Sequence, residues 1–153
     1  MNWFEAIFRV FHVLAAVCWI GGLYFMIRAV RPVLLQGNNP ENNFSVFRVI
    51  QRKFVVLAGM MLLTVLVTGM GNVYIVINNF SGATPPMNWM ILLTIKLILA
   101  LILFGIYAVN FFSIRKQSLD STEKPGFFLP RTALILGLII IAIGVILHTR
   151  LAY

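Results

Sequence analysis

The sequence predicts an all-α integral membrane protein, a four-helix bundle. Three observations predict it. Of the 153 residues, 61% are hydrophobic and 10% charged, where soluble domains carry roughly a quarter charged residues. Such a chain lacks the polar groups to cover a water-facing surface. The apolar residues fall into four runs, roughly Phe4 to Ile27, Phe54 to Ile77, Trp89 to Phe112 and Arg131 to Leu151, each near the ~20 residues that cross a bilayer. In lipid every backbone group must bond within its own segment, so runs of this length are helices. Residues 1–153 read as a single transmembrane domain with no room for a separate catalytic one.

In the first run, Glu5 and Arg9 precede an apolar stretch, as in a signal peptide. No small-x-small cleavage site follows, and Val17 stands where a lipoprotein motif ending at Cys18 needs a small residue, so the segment reads as a retained helix. Cys18 is the single cysteine, which excludes an internal disulfide and a multi-cysteine metal site.

The first connection holds Arg28, Arg31, Arg48, Arg52 and Lys53 against Glu41. Pro32 is expected to stop or kink the first helix, and Gly37 to Pro40 is turn chemistry. Phe44, Phe47 and Ile50 recur at helical spacing opposite Arg48 and Arg52. That pattern suits either a short basic amphipathic helix on the inner membrane surface or the cytoplasmic end of the second span. The third connection holds Arg115, Lys116, Lys124 and Arg131 against Asp120 and Glu123, whereas the second, Asn78 to Asn88, has no charge. The positive-inside rule then puts the first and third connections in the cytoplasm and both termini outside, which in a bacterial inner membrane is the periplasm. Trp3, Tyr74, Trp89 and Tyr153 fall at the outer boundary, as an aromatic belt should. The net charge of +8 is thereby assigned to topology and anionic lipid, not to nucleic acid.

Polar side chains inside hydrocarbon need a partner or a role. Arg9, His12, Lys96 and His148 are the candidates. His12 is about eight residues into its span and Lys96 about seven into one descending from the same side, so both lie ~12 Å deep at 1.5 Å per residue; His148 lies shallower. Thr68, Met70 and Asn72 occupy the outer half of the second span. Glu5, Arg9, His12, Ala16 and Trp19 share one side of the first helix, kept thin by Ala15, Ala16 and Gly22. Gly137, Ile141, Gly144 and His148 share a face of the fourth, and Asn110 lies on the face of Lys96. No acid lies below the interface in any span, so Lys96 is expected to find a ligand, water, or backbone carbonyls freed near Gly69 and Gly71.

These residues suit haem b. His12 offers an axial nitrogen, Lys96 an opposite ligand if desolvation keeps it neutral or else a propionate partner, and Arg9 a better propionate partner. His148 is the alternative ligand. Copper is the other reading, with Met70, Met87 and Met90 as soft ligands near the outer mouth. Two histidines exclude two bis-His haems, and with no acid to orient a histidine a serine or cysteine hydrolase is not expected.

The stretch Phe11-His12-Val13-Leu14-Ala15-Ala16-Val17-Cys18-Trp19-Ile20-Gly21-Gly22, followed by Arg31-Pro32, resembles the opening helix of the copper-resistance D (CopD) family. Arg52-Lys53-Phe54 with Thr68-Gly69 is similar to that family's second helix, and Trp89 to Lys96-Leu97, running to Asn110, to its third. HemJ-type protoporphyrinogen oxidases share the general pattern of a first-helix histidine and a third-helix Trp and Lys-Leu. The first resemblance implies copper handling in the inner membrane; the second implies haem held by His12 and Lys96. The expectation is an inner-membrane four-helix protein with one redox-metal site, most simply haem b, in its outer half. A copper-binding or copper-passing component, or a structural subunit of a larger respiratory complex, are the alternatives. Its partners are then the lipid bilayer, a redox or copper-handling membrane protein, or a second copy of the chain.

Overall fold

A computed structural model describes residues 3–35, 40–79, 86–116 and 128–151, and the side chains of all of these except 35, 40–42, 79, 128–129 and 148–151. Helix α1 (Trp3–Phe25) continues through a π turn (Met26–Val30) into the short α2 (Arg31–Leu35), followed by α3 (Pro40–Asn79), α4 (Met87–Lys116) and α5 (Phe128–Leu151). Every described residue but Pro86 is helical. Four stretches are long and apolar enough to cross a membrane: Trp3–Leu34, Asn43–Asn78, Met87–Lys116 and Pro130–Leu147. Their outward faces are oily, with Phe11, Val13, Leu101 and Val145 all more than half exposed. The chain is an all-α four-helix bundle of the multi-pass membrane class.

Of the two expected effects of Pro32, stopping the first helix does not occur. A proline in a helix lacks an N–H and its ring crowds the carbonyl four residues back. Here the turn just ahead of it is widened, with the Arg31 N–H reaching the Met26 carbonyl five residues earlier. A π turn is one of the few devices that absorb such a conflict, and the chain stays helical to Leu35.

Helix α3 is unbroken over its 40 residues, ~60 Å at 1.5 Å per residue and thus about twice the ~30 Å hydrocarbon core. The segment with Phe44, Phe47 and Ile50 is therefore the N-terminal end of the second span, not a separate surface helix. Phe47 and Arg48 are both buried there, which corrects the placing of Arg48 opposite the apolar stripe. The pattern assumed one covered face, whereas α2 also packs on α3.

The packing follows chain order. Helix α1 lies mainly along α3, and α4 along α5; the α3–α4 and α1–α5 interfaces are slighter. The core joins all four spans through Trp19, Leu23, Ala58, Leu62, Leu103 and Ala133. Glycines set the close approaches. A Cβ at Gly22 would lie 2.8 Å from the Phe54 ring, one at Gly71 2.8 Å from Phe8, and one at Gly137 2.8 Å from Trp19. Gly137 and Gly144 both face neighbouring helices, as residues of minimal size should in a membrane bundle. Across the slighter α3–α4 interface, the Tyr107 hydroxyl donates to the Val55 carbonyl at 2.8 Å, and Gly59 makes room for it. Of the aromatic belt, Trp3 and Tyr74 are exposed, but Trp89 is buried. It turns into the bundle instead of toward lipid, and Tyr153 lies outside the described residues.

Gly59→Ala would drive a methyl into the Tyr107 hydroxyl. We expect it to cost ~1–3 kcal/mol of stability, read as a lowered Tm in detergent. Adding Tyr107→Phe should recover part of that loss, because it removes the colliding oxygen. Gly21→Ala, which meets nothing within 4 Å, should leave the Tm unchanged or raise it, as alanine favours helix.

Candidate functional site

The site is built from one stripe on each pair of helices. On α1, Glu5, Arg9, His12 and Ala16 are part-buried and Trp19 is buried, while Val10, Phe11, Val13, Leu14 and Val17 between them are exposed. The shared side read from helical spacing is therefore the inward one. On α4, Lys96 and Asn110 are part-buried on either side of the core residue Leu103, at spacings of seven that keep one face.

His12 meets α3. Its Nδ1 lies 3.0 Å from Thr68 Oγ1, and Thr68 Oγ1 lies 2.6 Å from the Thr64 carbonyl, with the Val65 carbonyl at 3.3 Å. A carbonyl only accepts, so the Thr68 proton belongs to Thr64. Thr68 can then only accept from the imidazole. A His12 proton on Nδ1 satisfies this geometry, and the Val65 carbonyl is a second acceptor for the ring, from the backbone. Gly69 gives the ring its place: a Cβ there would stand 3.1 Å from His12 Cε1. One turn further along α3, Asn72 Oδ1 is buried with no hydrogen-bond partner among the described residues.

Lys96 comes from the other pair. It lies against α5 at Gly144, where an added Cβ would be 3.3 Å from Nζ. Among the described residues it has no hydrogen bond or ion pair, and its ammonium is close enough to act electrostatically on His12. Histidine and lysine thus belong to different helix pairs and approach across the slighter interfaces. The core residues Trp19, Leu62, Leu103 and Ala133 lie further along the bundle, toward its arginine-rich end.

The remaining expected residues divide. The Arg9 guanidinium is held by Glu5 at 2.6 Å, one turn away, so its charge is largely balanced. Met70 is not brought to the site. It is 66% exposed, because two residues beyond Thr68 is about 200° around an α-helix. Met87 and Met90 are exposed as well, so the three thioethers do not converge. The side chain of His148 lies outside the described residues. The backbone near Gly69 and Gly71 stays helical, so no carbonyls are freed there for Lys96, and Phe8 covers Gly71. Among the described residues no group of three or more His, Cys, Asp or Glu side chains converges. Sequence reading named Thr68 and Asn72 as polar residues but gave neither a role. A threonine within a helix was the available signal, since its hydroxyl bonds back to the carbonyl four residues earlier and can then only accept from outside.

Comparison with family models, with curated proteins and with solved structures finds no match for this chain.

The tautomer is directly testable. Nitrogen NMR of the protein labelled at histidine should show His12 protonated at Nδ1 and bare at Nε2. Thr68→Val, which keeps the shape but removes the hydroxyl, should weaken that preference, leaving the Val65 carbonyl as a backbone acceptor, and Thr68→Ser should retain it. A wild-type ring protonated at Nε2 instead would mean that Thr68 does not hold it.

Proposed function

We propose that this is a redox-metal protein of a bacterial inner membrane, carrying one haem b in the outer half of the bundle. The observation that supports this most is the state of His12. Its Nδ1 lies 3.0 Å from Thr68 Oγ1, the Nδ1–H tautomer that suits this contact leaves Nε2 for a ligand, and a lysine without a partner among the described residues lies within electrostatic reach.

The residues fit the group by their chemistry. A haem-ligating histidine needs its other nitrogen fixed by an acceptor, which orients the ring and raises its basicity, and Thr68 does this. A bare metal ion generally needs three or four protein ligands, and no such group converges among the described residues. A macrocycle supplies its own four nitrogens and asks the protein only for axial groups. When bound, haem would supply reversible one-electron chemistry. His12 would hold the iron, and Lys96 would serve as the second axial ligand or as the cation for a propionate. Gly69 and Gly144 keep the facing helices thin on either side. Arg9, tied to Glu5 one turn nearer the end of α1, would remain a secondary propionate contact. The likeness of His12, Trp89, Lys96 and Leu97 to the HemJ-type pattern supports the same reading. Copper handling, suggested by the CopD likeness, draws on Met70, Met87 and Met90, which face outward.

A reduced-minus-oxidised spectrum of the purified protein tests this. The wild type should show a haem b signal, His12→Ala should lose it, and Lys96→Met should shift or weaken it. A haem signal untouched by both changes would transfer the assignment to His148. No haem, with copper found by metal analysis, would favour copper handling; neither would leave a structural subunit.

We further propose that the arginine-bearing end of the bundle is cytoplasmic and both termini periplasmic, as the charge asymmetry requires. A reporter fused at Tyr153 should be active only in its periplasmic form; activity only in the cytoplasmic form would reverse the topology.

A further inference from the structure

Away from the histidine, at the opposite end of the bundle, a groove of about 320 Å³ opens between α3 and α4. It is lined by Arg52, Val55, Val56 and Arg115. Two arginines from different helices thus flank two valines. The position is specific. Arg52 stands two residues before the apolar run that begins at Phe54, and Arg115 three after the one that ends at Phe112. Both arginines thus flank uncharged stretches of their helices, and the valines lie on the uncharged side.

The groove is partly prepared for a ligand. The Arg115 guanidinium stacks over the Phe111 ring at 4.7 Å from its centroid, which limits the conformations it must give up on binding. The described side chains around it carry one sign of charge. Arg28, Arg31, Arg48, Arg52, Lys53, Arg115, Lys116 and Arg131 lie at this end, and its described side chains include no acid. Glu41, Asp120 and Glu123, in the adjoining connections, are outside the described side chains. A planar guanidinium is the side chain best matched to phosphate oxygens, and basic pockets between membrane helices suit anionic headgroups.

We propose that this groove binds an anionic phospholipid of the surrounding bilayer. The phosphate lies between Arg52 and Arg115, and the upper acyl region lies along Val55 and Val56. Charge complementarity selects the headgroup, and the apolar floor below it selects a lipid over a free anion. This site is independent of the haem reading.

Native mass spectrometry and thermal unfolding of the full chain in neutral detergent test it, with phosphatidylglycerol, phosphatidylcholine and inorganic phosphate as probes. Phosphatidylglycerol should bind saturably and raise the Tm, and the other two should not. Arg52→Gln with Arg115→Gln should weaken phosphatidylglycerol binding by roughly thirty-fold, from the contribution of two basic residues near the membrane surface. Lys53→Gln with Lys116→Gln removes the same charge outside the groove and should leave binding unchanged. Equal loss in both double variants would show diffuse surface attraction and overturn the site. Saturation by phosphate alone would overturn the lipid assignment. If the arginine variant fails to fold, Val56→Trp serves instead. Val56 is nearly half exposed, so the indole fills the groove floor without altering charge. Unchanged lipid binding in that variant would also overturn the proposal.

Discussion

The close approach of α1 and α3 governs where the polar side chains go. Hydrocarbon offers no hydrophobic force between helices, so they associate through van der Waals fit and the occasional hydrogen bond. Here the fit is reciprocal. Phe8 and His12 of α1 sit over Gly71 and Gly69 of α3, and Phe54 of α3 sits over Gly22 of α1. With the backbones this near, the His12 ring reaches Thr68 directly. Larger residues at positions 69 and 71 would push the helices apart and leave the imidazole without its acceptor. The chemistry of the histidine thus depends on a packing solution made by its neighbours' lack of side chains.

The two helix pairs treat their polar groups differently. In the α1–α3 pair the charged and titratable side chains at this end are partnered: Arg9 on Glu5, His12 on Thr68, Thr68 on the Thr64 carbonyl. In the α4–α5 pair Lys96 meets only the space above Gly144. A lysine at membrane depth costs several kcal/mol unless partnered or neutral. That imbalance motivates a ligand between the pairs, and it does not arise from either pair alone. Further along the bundle, Trp19 Nε1 is buried without a protein acceptor among the described residues. It borders a cavity of about 40 Å³ whose lining includes Gln51, Tyr107 and Asn110. That is room enough for a water molecule, which requires about 10–15 Å³ and polar partners.

The four spans were legible in the sequence because hydropathy over ~20 residues leaves a long helix as the only solution in lipid. The inward stripe of α1 and the facing of Gly137 and Gly144 were legible from helical spacing. The extent of α3 was not. Its N-terminal end carries Arg48, Arg52 and Lys53, which lower hydropathy without lowering helix propensity. Pro32 left two outcomes open, because a proline marks a conflict in the helix but does not say whether a widened turn absorbs it. The exposure of Met70 was not legible, because a soft side chain near the outer mouth does not say which face of its helix it takes. The relation of Lys96 to Gly144 was hidden for another reason: it depends on how α4 and α5 register, which no single-helix pattern contains.

The pairing by chain order has a consequence for biosynthesis. The first two spans form a hairpin whose histidine finds its partner within that hairpin, as soon as α3 has been made. The third span brings Lys96 into the membrane before α5 exists to provide Gly144. During that interval the lysine lacks the space that Gly144 later provides, so α4 reaches its final packing only once α5 lies beside it.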